Sequence, residues 1–388
     1  MRVLLALLVQ AGDGLDGRIW VGYQGWFNAE GDGAGRGWTH WTKKPARPFD
    51  LGNARIDLWP DVSELGPDER FATGLARADG RPAEVFSSFK PATVRRHFRW
   101  MKDYGIDGAF VQRFVVDLRD PRARAHVDAV LAACRAGANE HGRAFSIMYD
   151  LTGLTSARMG EVAADWKALR KVVDDPAYLK SRGKPLVAVW GVGFGDGRAY
   201  SLADAAGLLD VLKADGCAVM LGVPTYWREL DRDAAKDAAL HDLLRKADVV
   251  SPWTVGRYAS PGQAKAHGEK VVAADVAWCR QAGVGYLPVV FPGFSWHHMN
   301  GKPLDEIPRR KGEFLWAQLA AAKRAGMSTA YVAMFDEVDE ATAIFKCASD
   351  VPGFVTTEGL PSDHYLKLTG AGARMLRGEI PLSDVPPR

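Results

Sequence analysis

The chain has 388 residues, 47% of them hydrophobic and 25% charged. That is ordinary globular composition, with enough apolar side chain to bury a large core, so wholesale disorder is excluded. Fifty Lys and Arg against 47 Asp and Glu give a formal charge of +3 without long single-sign runs. This is too weak a bias to point to nucleic acid or a membrane surface as partner. The informative excess is aromatic: 13 Trp, 10 Tyr and 16 Phe, beside 41 Gly.

At the N-terminus Arg2 precedes the apolar run Val3 to Val9, and Val9-Gln10-Ala11 suits a signal peptidase. The run is at the short limit for a signal peptide and too short to span a bilayer. Residues 1–17 are therefore read as an N-terminal extension or a truncated signal, which suggests a secreted or periplasmic protein and leaves a cytoplasmic one open. The next apolar, β-rich run is Arg18–Gln24. Some sixty residues follow, Phe27–Lys90, rich in Gly, Pro, Trp and Asp. A loop this long is usually functional or disordered, and Trp38, His40, Trp41 and Trp59 argue for an ordered lid or wall.

From there a regular alternation sets in. Strand-like runs cover Gly108–Phe114, Ala144–Leu151, Pro185–Gly191, Ala218–Thr225, Val249–Val255, Tyr286–Pro292 and Thr329–Phe335. Their spacing is about 37 residues, the length of one βα unit. Helical patterns fill the gaps at Pro91–Tyr104, Pro121–Asn139, Ser156–Lys171, Leu202–Ala214, Asp231–Lys246, Gln263–Ala282 and Arg309–Ala325, and a last one covers Ser362–Leu376. Nearly continuous apolar strands are those of a parallel sheet buried on both faces. Eight strands and eight helices predict a single α/β domain, a (β/α)8 TIM barrel over 18–380. It carries the long aromatic-rich first βα loop at 27–90 and ends in a tail at 381–388. The alternative, an open doubly wound sheet, lacks the GxGxxG between first strand and helix. Gly191–Gly197 superficially resembles a phosphate cradle but follows the fourth strand and lacks a Lys-Ser/Thr tail. Cys134, Cys217, Cys279 and Cys347 lie far apart and read as buried free thiols rather than a zinc site.

In a barrel, the C-terminal ends of the strands build the site. Those ends carry Tyr23, Gln24 and Trp26; Gln112, Arg113 and Phe114; Asp150; Trp190; Tyr226 and Trp227; Trp253; Trp296, His297 and His298; then Asp336, Glu337, Asp339 and Glu340. Aromatic faces stack on the C–H faces of sugars, while carboxylates, amides and Arg bond their hydroxyls. Four carboxylates in five residues after an apolar strand are the sharpest feature. A solvated turn, a calcium site, and a metal-dependent hydrolase using Asp336, Asp339, Glu340 and His297 are the competing readings. If the chain turns there, Glu337 and Glu340 converge, and proximity splits them into an acid and a base, as glycoside hydrolysis requires.

Several segments resemble the bacterial proteins of the glycoside hydrolase family 71/99-like group. They are Val21-Gly22-Tyr23-Gln24-Gly25-Trp26-Phe27; Phe98-Arg99-Trp100-Met101 through Tyr104-Gly105-Ile106-Asp107-Gly108 and Gln112-Arg113-Phe114; Pro292-Gly293-Phe294-Ser295-Trp296-His297; and Met334-Phe335-Asp336-Glu337 through Thr342-Ala343-Ile344-Phe345-Lys346. The family 99 relatives are (β/α)8 endo-α-mannosidases that retain anomeric configuration and carry a Glu-x-x-Glu pair on the last strand. The resemblance implies Glu337 as the base that takes the 2-hydroxyl proton, giving a 1,2-anhydro-sugar intermediate. It implies Glu340 as the acid that protonates the leaving oxygen and then activates water. Where the family frame reads Glu-Trp-His/Asn-Glu-Gly, this chain has Glu337-Val338-Asp339-Glu340-Ala341, so the sugar stays open among α-mannoside, α-glucan and pentose substrates. A non-catalytic carbohydrate-binding barrel is the other reading of the altered frame. Tyr23, Gln24, Trp26, Arg113, Asp150, Tyr226, Trp253, Trp296 and His297 are expected to bind substrate and Asp336 to brace the site from behind. No metal or cofactor is expected; the partner is a glycan or oligosaccharide, with no nucleic acid, no membrane and a monomeric state.

Overall fold

The computed structural model describes residues 14–387. The apolar run that suggested a signal segment lies in residues 1–13, outside the described residues. Eight chain stretches build one curled parallel sheet. They are β1 (Ile19–Tyr23), β2 (Gly108–Phe114), β3 (Ala144–Asp150), β4 (Lys184–Trp190), β5 (Ala218–Pro224), β6 (Val249–Trp253), β7 and β8 (Ala330–Val332). β7 is two pieces, Gly285–Tyr286 and Val289–Val290, and Leu287–Pro288 interrupts it because proline has no N–H for the ladder. The first piece pairs with β6 and the second with β8, which pairs in turn with β1. The curl thus brings both ends of the sheet to one six-residue segment, with every neighbour among these strands parallel.

Helices α1 (Pro91–Asp103), α2 (Pro121–His141), α3 (Gly160–Leu169), α4 (Leu202–Ala214), α5 (Ala239–Lys246), α6 (Pro261–His267), α7 (Ala273–Ala282), α8 (Glu313–Arg324) and α9 (His364–Arg377) alternate with the strands. Proline at the first turn opens α1, α2 and α6, where a missing N–H costs nothing. The strands are buried along nearly their whole length, as their apolar runs require. Gly22 of β1 shows how tightly the interior is filled: a Cβ there would sit 2.1 Å from Tyr331 Oη and 2.2 Å from Met334 Cε.

Two helix expectations change. The pattern over Asp231–Lys246 is helical only from Ala239. Its first half turns instead, because the Asp233 carboxylate accepts the backbone N–H groups of Thr225 and Tyr226 at the β5 exit and pairs with Arg257. The Gln263–Ala282 helix is divided by a wide π turn at Gly268–Val272. The first βα loop is ordered. It contains the antiparallel pair Arg70–Ala76 and Pro82–Phe86, and its Trp59–Pro60 pairs with Cys347–Ala348 beyond β8. Trp41, Phe49, Trp59 and Phe86 pack against one another beneath it. All four cysteines are buried free thiols, and no helix among the described residues is long and apolar enough to cross a membrane.

Candidate active site

Beyond β8 the chain turns sharply. Thr342 and Ala343 N–H both donate to Glu337 O, and Ala341 adopts φ +53°. The buried Arg309 guanidinium clamps this turn by donating to the carbonyls of Ala341 and Ala343, each at 2.7 Å. The turn brings Glu337 and Glu340 into one cavity of about 510 Å³ at the C-terminal ends of the strands. That volume lies in the range of small-ligand pockets. Gln24 and Trp26 after β1, Gln112 and Phe114 at β2, Asp150 at β3, Trp190 at β4, Trp253 at β6 and Trp296 after β7 line it too.

Each acid has its own surroundings. Glu337 is buried; its Oε1 accepts Gln24 Nε2–H at 3.0 Å and its Oε2 accepts Thr342 Oγ1–H at 3.1 Å. Burial, and then the charges of Glu340 and Asp339, push its carboxyl well above the usual carboxylate range. Burial and the Asp339 charge raise Glu340 to about 7, against the pull of the Trp296 indole and Arg55. Two carboxyls this close cannot both ionise cheaply, so the pair holds a proton near neutrality. Asp336 stands behind them. Its two oxygens accept the Gln24 and Gly25 N–H groups at 2.8 Å, which ties the β1 exit to the acidic turn. Burial raises this carboxyl to about 7. Burial likewise raises Asp150, across the cavity, to about 6.

The cavity wall is short of hydrogen bonds. Gln24 Oε1, Gln112 Oε1 and the indole N–H groups of Trp26, Trp190 and Trp296 are buried with no partner among the described residues. A buried polar atom left unpaired costs about 1–3 kcal/mol, and five of them stand around this one hollow.

Seven of the sequence-predicted residues meet here: Glu337, Glu340, Gln24, Trp26, Asp150, Trp253 and Trp296. Four others lie elsewhere. Tyr23 is fully buried beneath the site, with its hydroxyl 2.9 Å from His97 Nδ1. Arg113 is buried against Asp165, donating to both its oxygens at 2.6 and 2.7 Å, and holds β2 to α3. Tyr226 sits under the Arg232 guanidinium, 4.0 Å from its ring centroid. His297 spends its backbone N–H on Asp57 and its Nδ1–H on Lys302 O. Strand-end position alone does not say whether a side chain points into the hollow or out between strand and helix. The metal-site readings gain nothing: Asp336 faces backbone, His297 lies outside the cavity, and no group of three ligating side chains among the described residues is arranged for a metal.

The sequence reading missed the wall after β4. Phe194, Asp196 and Arg198 line the cavity, and Arg198 stacks on Trp190 at 5.2 Å and on Phe194 at 5.0 Å. Phe194 and Asp196 belong to the Gly191–Gly197 run, where Gly191, Gly193 and Gly197 take positive φ, and Arg198 follows it. Their place after a strand of the parallel sheet was the available signal. The long first loop, expected as a lid or wall, contributes no side chain to the cavity lining; it braces the acidic turn from outside.

No protein-family profile matches the chain, and no curated protein matches it. Solved structures do. A family 99 endo-α-mannosidase from Bacteroides thetaiotaomicron superposes with a TM-score of 0.66 at 16% identity, covering 94% of this chain and 98% of that one. The chain has the fold of a family 99 endo-α-mannosidase. The same bacterial enzyme in complex with BIS-TRIS-propane gives a TM-score of 0.64 over the same coverage. A glycoside hydrolase-like protein matches at 0.58 and 12% identity, over 86% of this chain and 98% of that one.

Proposed function

We propose that the protein is a retaining glycoside hydrolase acting on α-glycosidic bonds, with Glu337 and Glu340 as its catalytic residues. The curled sheet, whose ends meet on β7, is read as a closed (β/α)8 barrel. The observation that carries the reading is two carboxyls of raised proton affinity on one turn, inside a hollow lined with tryptophans and unpaired hydrogen-bonding atoms. The family 99 fold supports it.

The two acids differ in the way the chemistry needs. Glu337 receives two side-chain donors, which favour its ionised form as base. Glu340 has only the Trp296 indole close by, without a hydrogen bond between them, and the resemblance to family 99 implies it as the acid. In the first step Glu337 takes the 2-hydroxyl proton, O2 bonds to C1, and the leaving oxygen departs with the proton of Glu340. In the second, Glu340 takes a proton from water, the hydroxide oxygen bonds to C1, the C1–O2 bond breaks, and O2 recovers its proton from Glu337. Two inversions at C1 give net retention. Attack by O2 from behind the leaving group requires O2 and that group on opposite ring faces. An α-mannoside satisfies this and an α-glucoside does not, so the substrate is α-mannoside-like.

Digestion of a panel of α-linked glycans, with products read by mass spectrometry and NMR, tests the reading. Release of a reducing sugar with retained configuration is expected. E337Q and E340Q should each lower turnover about 10³-fold, since positioned acid–base groups contribute that much. Full activity in either variant would remove the assignment.

A further inference from the structure

Between the two catalytic acids lies a third, Asp339, with a fully buried side chain. Its Oδ2 is 3.2 Å from His40 Nδ1 and 3.5 Å from Arg55 Nε, both from the long first loop. Its Oδ1 has no hydrogen-bond partner among the described residues. Neither neighbour cancels the charge fully: Arg55 stands beyond good hydrogen-bond reach, and burial lowers the proton affinity of His40, although Asp339 opposes this. A buried carboxylate so lightly compensated keeps a strong field on its neighbours.

The loop is fastened to hold this arrangement. Asp57 and Leu58 N–H both donate to Val338 O, at 2.9 and 3.1 Å, beside Asp339. The His40 ring lies flat on Trp26, centroids 3.8 Å apart and planes within 7°, and its backbone takes φ +64°, a conformation non-glycine residues rarely adopt. His40 is thus clamped between an indole of the cavity wall and the carboxylate.

We infer that Asp339, fixed by His40 and Arg55, is a positioning residue whose charge keeps Glu340 in its acid form while the site awaits substrate. The inference rests on the reading of Glu340 as the acid. The charged groups facing Glu340 are Glu337 and Asp339 from its own turn and Arg55 from the loop, with Lys302 and Glu306 from the segment after β7, Asp150 at β3, Asp196 and Arg198 after β4 and Arg257 after β6 on the same cavity. Of the two acids that share its turn, Asp339 is the one whose removal leaves the reacting pair intact.

The test is a pH titration of the protein carrying ¹³C-carboxyl glutamate, followed by NMR, with E340Q assigning the Glu340 resonance. The wild-type midpoint should fall near 7. In D339N it should drop by about one pH unit, as expected when a like charge at close range is removed. H40F keeps the ring stack on Trp26 but removes the donor that fixes Asp339 beside Glu340, so it should lower the midpoint too. If D339N does not fold, H40F carries the test. An unmoved Glu340 midpoint in the folded variant overturns the inference. The underlying reading fails differently: E340Q turning over α-linked mannobiosides at the wild-type rate sinks the acid assignment wherever D339N titrates.

Discussion

On the proposed reading, Trp296 is the residue that most directly reports on substrate contact. Its indole N–H is buried beside Glu340 and unpaired among the described residues. Replacing it with Phe keeps the ring but removes the donor. W296F should therefore lower kcat/KM about tenfold, the worth of one hydrogen bond to a bound sugar, while the thermal midpoint stays level or rises slightly because an unsatisfied donor is gone. Steady-state kinetics and a melting curve on one preparation check both halves. Much at this scale was legible before any coordinates. Trp26, Trp190, Trp253 and Trp296 stand at strand ends and line the cavity, whereas Trp20, Trp41, Trp59, Trp166 and Trp316, away from those positions, are fully buried. Trp227 breaks the rule, being at the β5 exit yet fully buried, because its ring packs on His241 of α5 and Trp278 of α7. Arg113 misled for a similar reason. An arginine at a strand end reads as a ligand group, but its partner Asp165 lies 52 residues on in α3, and no local pattern announces such a pairing.

Among the elements, the first βα loop carries the most consequence. Asp57 accepts the N–H groups of His297 and His298 at 2.7 and 2.9 Å and the His298 Nδ1–H at 2.7 Å. Burial works against its ionisation, but these donors prevail and hold its carboxyl below the usual range. It bolts the loop to the β7 exit. D57N halves the accepting capacity and should cost about 2–3 kcal/mol of stability, the range for charge-assisted hydrogen bonds and stranded donors. Urea denaturation measures the cost, and faster hydrogen exchange across residues 38–58 locates it. The periodicity of the chain marked the strands and most helices well, because buried parallel strands read as apolar runs and amphipathic helices as spaced ones. It had no purchase on this loop, whose structure comes from aromatic packing and single polar anchors rather than from a repeat.

For the molecule as a whole, the active site is a standing cost. Glu340 titrates at about 7 in the folded protein and near its ordinary carboxylate value when unfolded. Below the unfolded value both states are protonated and the group contributes nothing. As pH rises towards 7 the unfolded chain loses its proton first, so folding stability falls, and above 7 the full penalty remains. Glutamine never ionises. E340Q should therefore match the wild type at pH 4 and exceed it by about 3 kcal/mol at pH 8, the order set by a shift of this size. Guanidinium denaturation at the two pH values shows it, and a difference that is constant with pH would contradict the assignment of a raised proton affinity to this carboxyl.

The carbonyl of Val338 takes two bonds from a segment nearly three hundred residues upstream. If Glu337 and Glu340 react as proposed, a chain that ties its earliest surface insertion to the hinge between them has made that insertion part of its chemistry. Trimming or lengthening 27–90 would alter when the site is armed before it altered what fits inside. Relatives with a different first loop would then differ first in the acidity at which they work, and only afterwards in the sugars they accept.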